Sequence, residues 1–490
     1  MRAAEQAAFS RGAAVEALMD RAGAGVARTV RQFFPSSGTC VVYVGKGHNA
    51  GDALVAAADL RAAGWQVEVK LAFPERDLSE LTCRKLHAFR TTAELAPPCP
   101  QSRLVILDGL LGLGAKSQLR EPIQTAAREI NHRRTEQSAF VFAVDLPTGL
   151  DGDSGERDVD CVKADCTVTI GFPKRGLLAD EALDFVGRLE VVRLPDLRVE
   201  PNHETETVTT ADSLRHLLPP REFSAYKNLF GRIGVVAGSE GFWGAAILAT
   251  KGALRSGAGL VNMFVPRELY STVAALSPDE AMVKPVQSYT DLLGQQNVDV
   301  WAIGPGLGTG RANELLALIE KTEKPVVLDA DGLNIVAQKI EVLNRCRGRR
   351  LLTPHPGEMK RLFGHGAMSR ADIARRFCDT YSATLLFKGS RTIACEKGHR
   401  VAYNSTGNPG MATGGMGDVL TGVCAGLVAQ RLSLYDAARL GAWICGRAAE
   451  IAIFESGQSE ESLLPTDLIA QLGPAFNDLR QSGSNVQSNR

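Results

Sequence analysis

The segment NPGMATGGMGD (408–418) has four glycines in eleven positions, ends on an aspartate and runs directly into the apolar segment VLTGVCAGLVAQRL (419–432). Glycines let a backbone approach a ligand closely, and the first turn of a helix presents unpaired N–H groups. We therefore expect GGMG (414–417) to form an anion hole at the start of a helix. A carboxylate beside a bound phosphate is unexpected, because the two negative charges repel each other. The position of Asp418 is explained if it accepts a proton from the hydroxyl that receives the phosphoryl group.

A structural interpretation of the same pattern is a glycine-rich turn in which Asp418 caps the helix. Three further blocks in the same half favour the phosphate site instead: GPGLG (304–308), TPHPGE (353–358) and KGSRT (388–392). The GxxxxGK[ST] pattern of an ordinary P-loop does not occur in the chain. The sequence therefore predicts a phosphate site assembled from several loops.

Length, charge and cysteine content limit the classes of protein to which the chain can belong. Its 490 residues predict two or three domains, and its 55 basic and 55 acidic residues argue against a nucleic-acid partner or an anionic membrane. Neither a membrane-spanning apolar run nor a signal-peptide core is visible, and the ten cysteines fit no common zinc pattern. These features predict a cytoplasmic protein with reduced thiols.

Two series of alternating strand and helix patterns are separated by a polar segment at 195–213. The strands in both series are apolar throughout, which is typical of parallel sheets covered by helices on both faces. We therefore predict an α/β protein with a first domain at 1–205, a second domain at 206–478 and a disordered tail at 479–490. The predicted strands lie at 39–45, 66–73, 103–109 and 139–149 in the first series, and at 231–239, 260–266, 298–306, 325–332, 349–358 and 383–390 in the second.

The second half resembles the ribokinase-like superfamily, and within it the NAD(P)H-hydrate dehydratases. The resemblance covers nearly all of 222–456 and rests on six blocks in the expected order: SAYKNLFGRIGVVAGSEGFWGAAILATKGALRSGAGLV, AIGPGLG, VVLDADGLN, LLTPHPGEMKRL, LLFKGSRTIA and NPGMATGGMGDVLTG. It implies a ribokinase-like α/β domain that phosphorylates the C6 hydroxyl of the S hydrate of NADH or NADPH. Phosphate then leaves, and the reduced coenzyme is restored.

The same resemblance assigns residues to this reaction. Asp418 would be the base, and Gly415 and Gly417 would build the anion hole. The residues implied to bind the nucleotide are Lys388, Gly389, Ser390, Arg391, Thr392, Asn408, Gly415 and Gly417, and those implied to contact the hydrate are Ala245, Gly306, His355 and Asp418. For His355, a helix-capping or core role is the alternative. The fusion of two activities favours ADP over ATP as co-substrate, and Mg²⁺ is expected with the nucleotide.

Three polar, glycine-bearing loops of the first half follow apolar strands: GKGHNAGD (45–52), LDGLLGLGAKSQLREP (107–122) and VDLPTGLDGDSG (144–155). Ligands of doubly wound sheets bind at the carboxyl ends of the strands, so the three loops predict one pocket. This half, from about 12 to 195, resembles the YjeF N-terminal domain of the NAD(P)H-hydrate epimerases, through these loops and through VEALMDRAG and ADCTVTIGFPKRG. The resemblance implies a Rossmann-like doubly wound domain that interconverts the R and S hydrates at C6.

By this resemblance, a K⁺ ion would be held by the oxygen donors of Asn49, Asp108 and Thr148. Asp145 would be the catalytic carboxylate and Lys116 its cationic partner in proton transfer at C6. The alternatives are a turn residue and a solvated lysine. The residues implied to contact the dinucleotide are His48, Asn49, Ala50, Gly51, Asp52, Gly112, Leu113, Gly114, Ala115, Lys116, Ser117, Gln118 and Asp145.

The glycine loop departs from the family's usual NNGGDG, because this chain has HNAGDA at 48–53. Alanine adds a methyl group and disfavours positive φ, so Ala50 and Ala53 predict a slower or differently tuned epimerase. Thr148 stands where the family usually has serine, which keeps the hydroxyl.

Two other functions fit parts of the sequence. A ribokinase-like kinase of a vitamin precursor, such as a hydroxymethylpyrimidine or a thiazole alcohol, would use Asp418 and its anion hole equally well. The first half could also be a non-catalytic scaffold, as such domains are in RNA-associated complexes, or a secreted binding partner. TPHPGE, GPGLG and the attached first half argue against the kinase, and Asn49, Asp108 and Asp145 argue for catalysis in the first half. Family resemblance further implies a homo-oligomer.

Overall fold

The computed structural model describes residues 1–93, 103–114, 118–198, 205–218, 220–364, 366 and 368–481. The chain divides into two compact units between residues 203 and 204. Both units are α/β, so the fold class predicted from the sequence is confirmed. Among the described helices, none is both long enough and apolar enough to cross a membrane.

In the described part of the first unit, six parallel strands form one sheet with helices between them. The strands are β1 (Thr39–Val44), β2 (Gln66–Leu71), β3 (Leu104–Gly109), β4 (Phe140–Val144), β5 (Cys166–Ile170) and β6 (Arg188–Val192). The helices are α1 (Arg2–Ser10), α2 (Val15–Phe33), α3 (His48–Ala62), α4 (Glu80–Thr91), α5 (Ile123–Glu136) and α6 (Leu183–Val186). The strand order, β2-β1-β3-β4-β5-β6, is that of a Rossmann-like doubly wound sheet.

The strand order of the first unit reverses between β1 and β3. The chain runs from β1 to β2 at one edge and then returns to the other side of β1 at β3. The loops that follow β1 and β3 therefore diverge at the carboxyl ends of these strands, where ligands bind in such sheets. GKGHNAGD follows β1 and the loop from Leu110 follows β3, while the loop from Asp145 follows the neighbouring β4.

In the described part of the second unit, ten strands form one sheet in the order β10-β9-β8-β11-β12-β13-β14-β15-β16-β7. The strands are β7 (Glu206–Thr209), β8 (Arg232–Val236), β9 (Leu260–Pro266), β10 (Ala281–Val286), β11 (Val300–Ile303), β12 (Val326–Leu328), β13 (Arg350–Leu352), β14 (Thr384–Phe387), β15 (Ile393–Cys395) and β16 (Val401–Asn404). Neighbours from β10 to β14 pair in parallel, and β15 is antiparallel to both β14 and β16. The strand order reverses between β8 and β11, so the loops at that end form a second crevice.

The helices of the second unit lie between these strands and after them. They are α7 (Ala211–Leu214), α8 (Trp243–Arg255), α9 (Tyr270–Leu276), α10 (Ala312–Lys321), α11 (Ala330–Ala337), α12 (Pro356–Phe363), α13 (Arg370–Thr380), α14 (Met416–Ala429), α15 (Leu434–Phe454) and α16 (Pro465–Gln481).

Helix α14 lies in the core of the second unit. All of its residues from Val419 to Ala429 are buried, which explains why this stretch is apolar on every face. A Cβ placed on Gly252 of α8 would meet the backbone of Val419, and one placed on Gly422 would meet the backbone of Ala249. Small residues thus let the backbones of α8 and α14 touch, and this close packing fixes the first turn of α14.

The structure contains six strands that were not predicted from the sequence, β5, β6, β7, β10, β15 and β16, and a last helix that runs further than expected. β7 lies within the polar segment 195–213, where a domain boundary is predicted, and pairs in parallel with β16. Its sequence, ETVT, is too short to show an apolar alternation. At the other end, α16 runs to Gln481, so the first three residues of the predicted tail are helical. Residues 482–490 lie outside the described part of the chain.

Candidate active sites

Neighbouring parallel strands of the second unit end in charged side chains that meet. Asp329 follows β12, Glu358 lies in the first turn of α12 after β13, and Lys388 follows β14. The Lys388 Nζ atom lies 2.6 Å from Asp329 Oδ1 and 4.0 Å from Glu358 Oε2. From α14, the Thr421 hydroxyl donates to Asp329 Oδ2 at 2.9 Å. These contacts join the first turn of α12 and the second turn of α14 through the Lys388–Asp329 ion pair.

Asp418 lies in the first turn of α14, within the electrostatic influence of this cluster. Burial raises the pKa of its carboxyl to about 7, and the negative charge of Asp329 adds to the rise. The Lys388 ammonium opposes the rise, and Glu358 contributes to it. A carboxyl with a pKa near neutrality is suited to accept and release protons at physiological pH.

The glycines before Asp418 have geometries that a larger residue would disturb. Gly415 precedes α14 with φ +94°, and a Cβ there would lie 2.7 Å from a methyl group of Leu248. A Cβ on Gly417 would lie 3.1 Å from Lys388 Nζ. The start of α14 therefore combines accessible backbone N–H groups with a nearby ammonium, which is the arrangement expected of an anion hole.

The predicted hydrate contacts fall into two groups in the structure. His355 is the N-terminal cap of α12: its Nδ1 atom accepts from the N–H of Gly357 at 3.0 Å, and its Nε2 atom lies 3.6 Å from Glu358 Oε1. Its side chain is nevertheless half exposed, so the capping role leaves it free to contact a ligand. Gly306 and Ala245 lie together, because a Cβ on Gly306 would be 3.1 Å from that of Ala245.

The predicted nucleotide segment, 388–392, forms a turn with exposed residues at 389 and 390. The hydroxyl of Thr392 donates to the carbonyl of Gly389 at 3.0 Å, which closes this turn. Asn408 accepts from the N–H of Gly410 through Oδ1 at 3.0 Å. Within the described part of the chain, its buried Nδ2 atom has no hydrogen-bond partner, so a donor remains for a ligand.

In the first unit, the three predicted K⁺ ligands converge on the loop after β3. The Thr148 hydroxyl donates to Asp108 Oδ1 at 2.7 Å, and the N–H of Leu111 donates to that hydroxyl at 3.2 Å. The Asn49 amide donates to the carbonyl of Leu111 at 2.9 Å. Burial raises the pKa of Asp108 to about 6, and a bound cation would offset the cost of that buried charge. All donors of the set are oxygens, as a hard cation prefers.

Asp145 follows β4 in a left-handed backbone conformation, with φ +69°. Its Oδ1 atom accepts from the N–H of Ile170 at 3.0 Å and from the ammonium of Lys174. Burial and the nearby Asp145 carboxylate raise the pKa of Asp52 well above its usual range. The structure thus brings Asp52, Asp145 and Lys174 to one corner of the sheet.

The other predicted dinucleotide contacts are only partly described. Residues 48–52 form the first turns of α3, and a Cβ on Gly112 would lie 3.0 Å from the Asn49 side chain. Leu113, Gly114 and Gln118 are described and lie on the same loop as Gly112. Ala115, Lys116 and Ser117 lie outside the described residues, so the predicted role of Lys116 stays a prediction.

Comparison with known proteins gives matches over both units. The family model described as NAD(P)H-hydrate dehydratase matches residues 233–473, and the model of the YjeF-related protein N-terminus matches residues 15–176. The bifunctional NAD(P)H-hydrate repair enzyme Nnr of Moorella thermoacetica is 35% identical, with coverage of 95% of this chain and 93% of the relative. The chain belongs to the family of bifunctional NAD(P)H-hydrate repair enzymes.

A second repair enzyme of this family, from Coxiella burnetii, is 36% identical over 96% of this chain and 97% of its own length. Among solved structures, an ADP/ATP-dependent NAD(P)H-hydrate dehydratase from Bacillus subtilis, co-crystallised with ATP and Mg²⁺, is 26% identical. It covers 56% of this chain and 98% of its own, with a TM-score of 0.49. The family predicted from the sequence is confirmed, and the alternative of a vitamin-precursor kinase with a non-catalytic first half is not favoured.

Four polar residues in the clusters around Lys388 and Asp145 were not among the residues proposed from the sequence: Asp329, Glu358, Thr421 and Lys174. Two of them carry a signal that could have been used. Asp329 ends the apolar strand of VVLDADG, and Glu358 ends TPHPGE, so each is a carboxylate at the carboxyl end of a predicted strand. The roles of Thr421 and Lys174 depend on contacts across 92 and 29 residues of chain, which no local pattern indicates.

The expected strain at the alanines of HNAGDA is not present in this repair enzyme. Residues 48–62 form helix α3, and neither Ala50 nor Ala53 has positive φ. Both side chains are fully buried, and the methyl group of Ala53 packs against Gly109. The alanines therefore favour the helix rather than disturb it.

We predict that Ala53→Gly lowers the free energy of unfolding of the first unit by about 2 kcal/mol, from lost helix propensity and one lost buried methyl group. The epimerase rate is not expected to rise. Denaturant unfolding measures the effect, and Ala58→Gly in the same helix is the matched control. Ala58 is only partly buried, so its substitution is expected to cost about 1 kcal/mol. Faster epimerisation by Ala53→Gly would restore the original strain argument.

We predict an acid limb in the pH profile of dehydration, with a midpoint near pH 7. The pKa of Asp418 is raised to about 7, so below that pH the carboxyl is increasingly protonated and cannot accept the hydroxyl proton. The kcat/KM for the S hydrate should fall about tenfold per pH unit below about pH 6 and reach a plateau above about pH 8. Steady-state rates in constant-ionic-strength buffers measure the profile. A flat profile across this range would remove Asp418 as the base.

Proposed function

We propose that the second unit dehydrates the S hydrate of NADH and NADPH at the expense of ADP or ATP, and that the first unit interconverts the R and S hydrates at C6. The observation that carries the first half of this proposal is a partly buried carboxyl, Asp418, with a pKa of about 7 at the glycine-rich start of α14. The domain bounds that we propose are 1–205 for the epimerase and 206–478 for the dehydratase. A tail at 479–490 would follow.

In the dehydratase, the C6 hydroxyl gives its proton to Asp418 while its oxygen attacks the terminal phosphorus of the nucleotide. The bond from that phosphorus to the bridging oxygen breaks, and a nucleotide with one phosphate fewer leaves. The lone pair of the ring nitrogen then expels phosphate from C6, and loss of a proton from C5 restores the reduced ring. The N–H groups at Gly415 and Gly417 would hold the phosphoryl oxygens during both steps.

The charge cluster beside Asp418 fits a phosphate site that also takes a divalent cation. Burial raises the pKa of Glu358, and Asp329 and Glu358 together outnumber the single Lys388 ammonium. The two carboxylates would hold Mg²⁺, which supplies positive charge to the nucleotide phosphates when bound. Lys388 would neutralise the phosphoryl oxygens at the start of α14, because its Nζ atom would lie only 3.1 Å from a Cβ placed on Gly417. Use of ADP rather than ATP rests on the fusion of the two units in one chain.

In the epimerase, Asp145 would move the proton while C6 loses and regains its configuration. Asn49, Asp108 and Thr148 would hold K⁺, which supplies a fixed positive charge between the loops after β1 and β3. The first unit would then feed the second, because only the S hydrate is dehydrated. The cytoplasmic location is supported by the free thiols of the nine cysteines in the described residues, and the homo-oligomer stays a prediction.

An equimolar mixture of the R and S hydrates of NADH tests both activities in one experiment. With ADP or ATP, the absorbance of the reduced nicotinamide should recover in two phases: a fast phase from the S hydrate, and a slow phase from the R hydrate after epimerisation. Recovery that stops at half would contradict the epimerase. No recovery, with phosphorylation of a vitamin-precursor alcohol instead, would favour the competing kinase.

A further inference from the structure

Lys174 is a buried lysine in the segment GFPKRG, on the loop after β5. Its ammonium donates to the Asp145 carboxylate, to the Thr169 hydroxyl at 3.1 Å and to the carbonyl of Ile170 at 3.0 Å. An ammonium has three donors, so these three acceptors match its full capacity. Only 4% of the side chain is exposed. The group is therefore held in one position by the end of β5.

The two oxygens of the Asp145 carboxylate have different surroundings. Oδ1 accepts from the N–H of Ile170 and from Lys174. Oδ2 has no hydrogen-bond partner among the described residues, and the side chain keeps 11% of its surface exposed. The backbone of Asp145 is also held at φ +69°, a conformation that costs free energy in a residue other than glycine and that is found most often at functional sites. One oxygen is anchored and the other remains for a ligand.

We propose that Lys174 is the positioning residue of the epimerase: it fixes Asp145 through Oδ1 so that Oδ2 takes up and returns the substrate proton. The inference rests on the proposed epimerase function of the first unit. The competing explanation is that the ion pair between Lys174 and Asp145 only stabilises the fold. Buried ion pairs contribute little net stability once the cost of desolvation is included.

The charges around Asp145 predict the direction in which the pH profile of epimerisation should shift when Lys174 is replaced. The Asp52 carboxyl comes from α3, and Glu5 of α1 and Asp20 of α2 add negative charge near it. Lys174 is the cation that opposes these carboxylates at Asp52. Without its ammonium, the described part of the chain would leave Asp52 and Asp145 with no adjacent positive charge, and protonation of the carboxylates would become easier. The active, ionised form of the base would then be lost at a higher pH.

The test is Lys174→Met, assayed on an equimolar mixture of the R and S hydrates by the two-phase recovery. We expect the kcat of epimerisation to fall about 100-fold with KM changed by less than about threefold. The acid limb of the epimerase profile should move up by about one to three pH units. The fast dehydratase phase of the same chain is the internal control. Lys163→Met is the matched control, because Lys163 is an exposed lysine of the same unit, and it should behave as the parent does.

A second variant, Thr169→Val, keeps the ammonium but removes one of its acceptors and nearly preserves side-chain volume. It should lower kcat about tenfold and leave the thermal midpoint close to that of the parent. The inference is overturned if Lys174→Met epimerises within threefold of the parent. It is also overturned if both variants lower kcat only in proportion to lost folded protein, with the acid limb unmoved. A parent protein that leaves the R hydrate untouched would overturn the epimerase function itself.

Discussion

Replacement of Asp418 by asparagine is expected to lower the kcat of dehydration about 1000-fold. Asparagine has nearly the same shape as aspartate but cannot accept the hydroxyl proton, so the phosphoryl transfer loses its base. The N–H groups at the start of α14 remain, and so does the Lys388–Asp329 ion pair. Nucleotide affinity should therefore stay the same or rise, because one negative charge near the phosphates is removed. Stopped assays with the pure S hydrate measure kcat, and calorimetry with ADP or ATP measures affinity.

The matched control for this substitution is Asp279→Asn, which removes an exposed aspartate of the same unit. It should dehydrate at the parent's rate. Epimerisation of the R hydrate should also continue in Asp418→Asn, since the proposed epimerase site lies in the first unit. If Asp418→Asn kept more than about a tenth of the parent's kcat, proton transfer would have to be assigned to another group. Glu358 would be the next carboxylate to replace.

Replacement of Asp145 by asparagine is expected to lower the rate of epimerisation by about 100- to 1000-fold without changing dehydration of the S hydrate. An amide can still accept from the N–H of Ile170 and from Lys174, so the corner of the sheet should keep its shape. It cannot take up the substrate proton. With an equimolar mixture of the two hydrates, the recovery of reduced coenzyme should stop close to half, after the S form has been consumed.

Asp153→Asn is the matched control for this second prediction, because Asp153 is exposed on the loop after Asp145. It should leave both phases unchanged. Full recovery by Asp145→Asn at the parent's slow-phase rate would remove Asp145 from the mechanism. The positioning role inferred for Lys174 would then be contradicted as well, because Asp145 would not be the residue that transfers the proton.

The sequence predicts those parts of the two sites that lie on one continuous loop. Apolar strands followed by glycine-bearing loops identify β1, β3, β11 and β14 and the residues just after them. The same reasoning places Asp418 at the start of α14, because the glycines and the apolar run are adjacent in the chain. These inferences need only local patterns and the rule that ligands bind at the carboxyl ends of parallel strands.

The partners of Asp145 and Asp329 depend instead on the order of the strands. Lys174 reaches Asp145 because β4 and β5 are neighbours, and Lys388 meets Asp329 because β13 places β12 and β14 close together. A sequence pattern shows where strands are but not which of them are adjacent. Short polar strands such as β7 are likewise fixed by their partner rather than by their own periodicity.

The prediction of backbone strain at Ala50 and Ala53 was wrong for a different reason. The family's glycines suggest a loop with unusual backbone angles, but the structure places both alanines inside α3 with ordinary helical geometry. A glycine in a motif can be present because a close neighbour leaves no room for a side chain, and here the neighbour of Ala53 is Gly109, which leaves that room.

The fate of the C6 oxygen tests the central claim of phosphoryl transfer most directly. Hydrated NADH that carries ¹⁸O in its C6 hydroxyl can be dehydrated with unlabelled ADP or ATP, and the released inorganic phosphate can be analysed by mass spectrometry. We expect one ¹⁸O atom per phosphate, because that oxygen attacks phosphorus and leaves with it when the bond to C6 breaks. Recovery of the label in water, with unlabelled phosphate, would contradict the account.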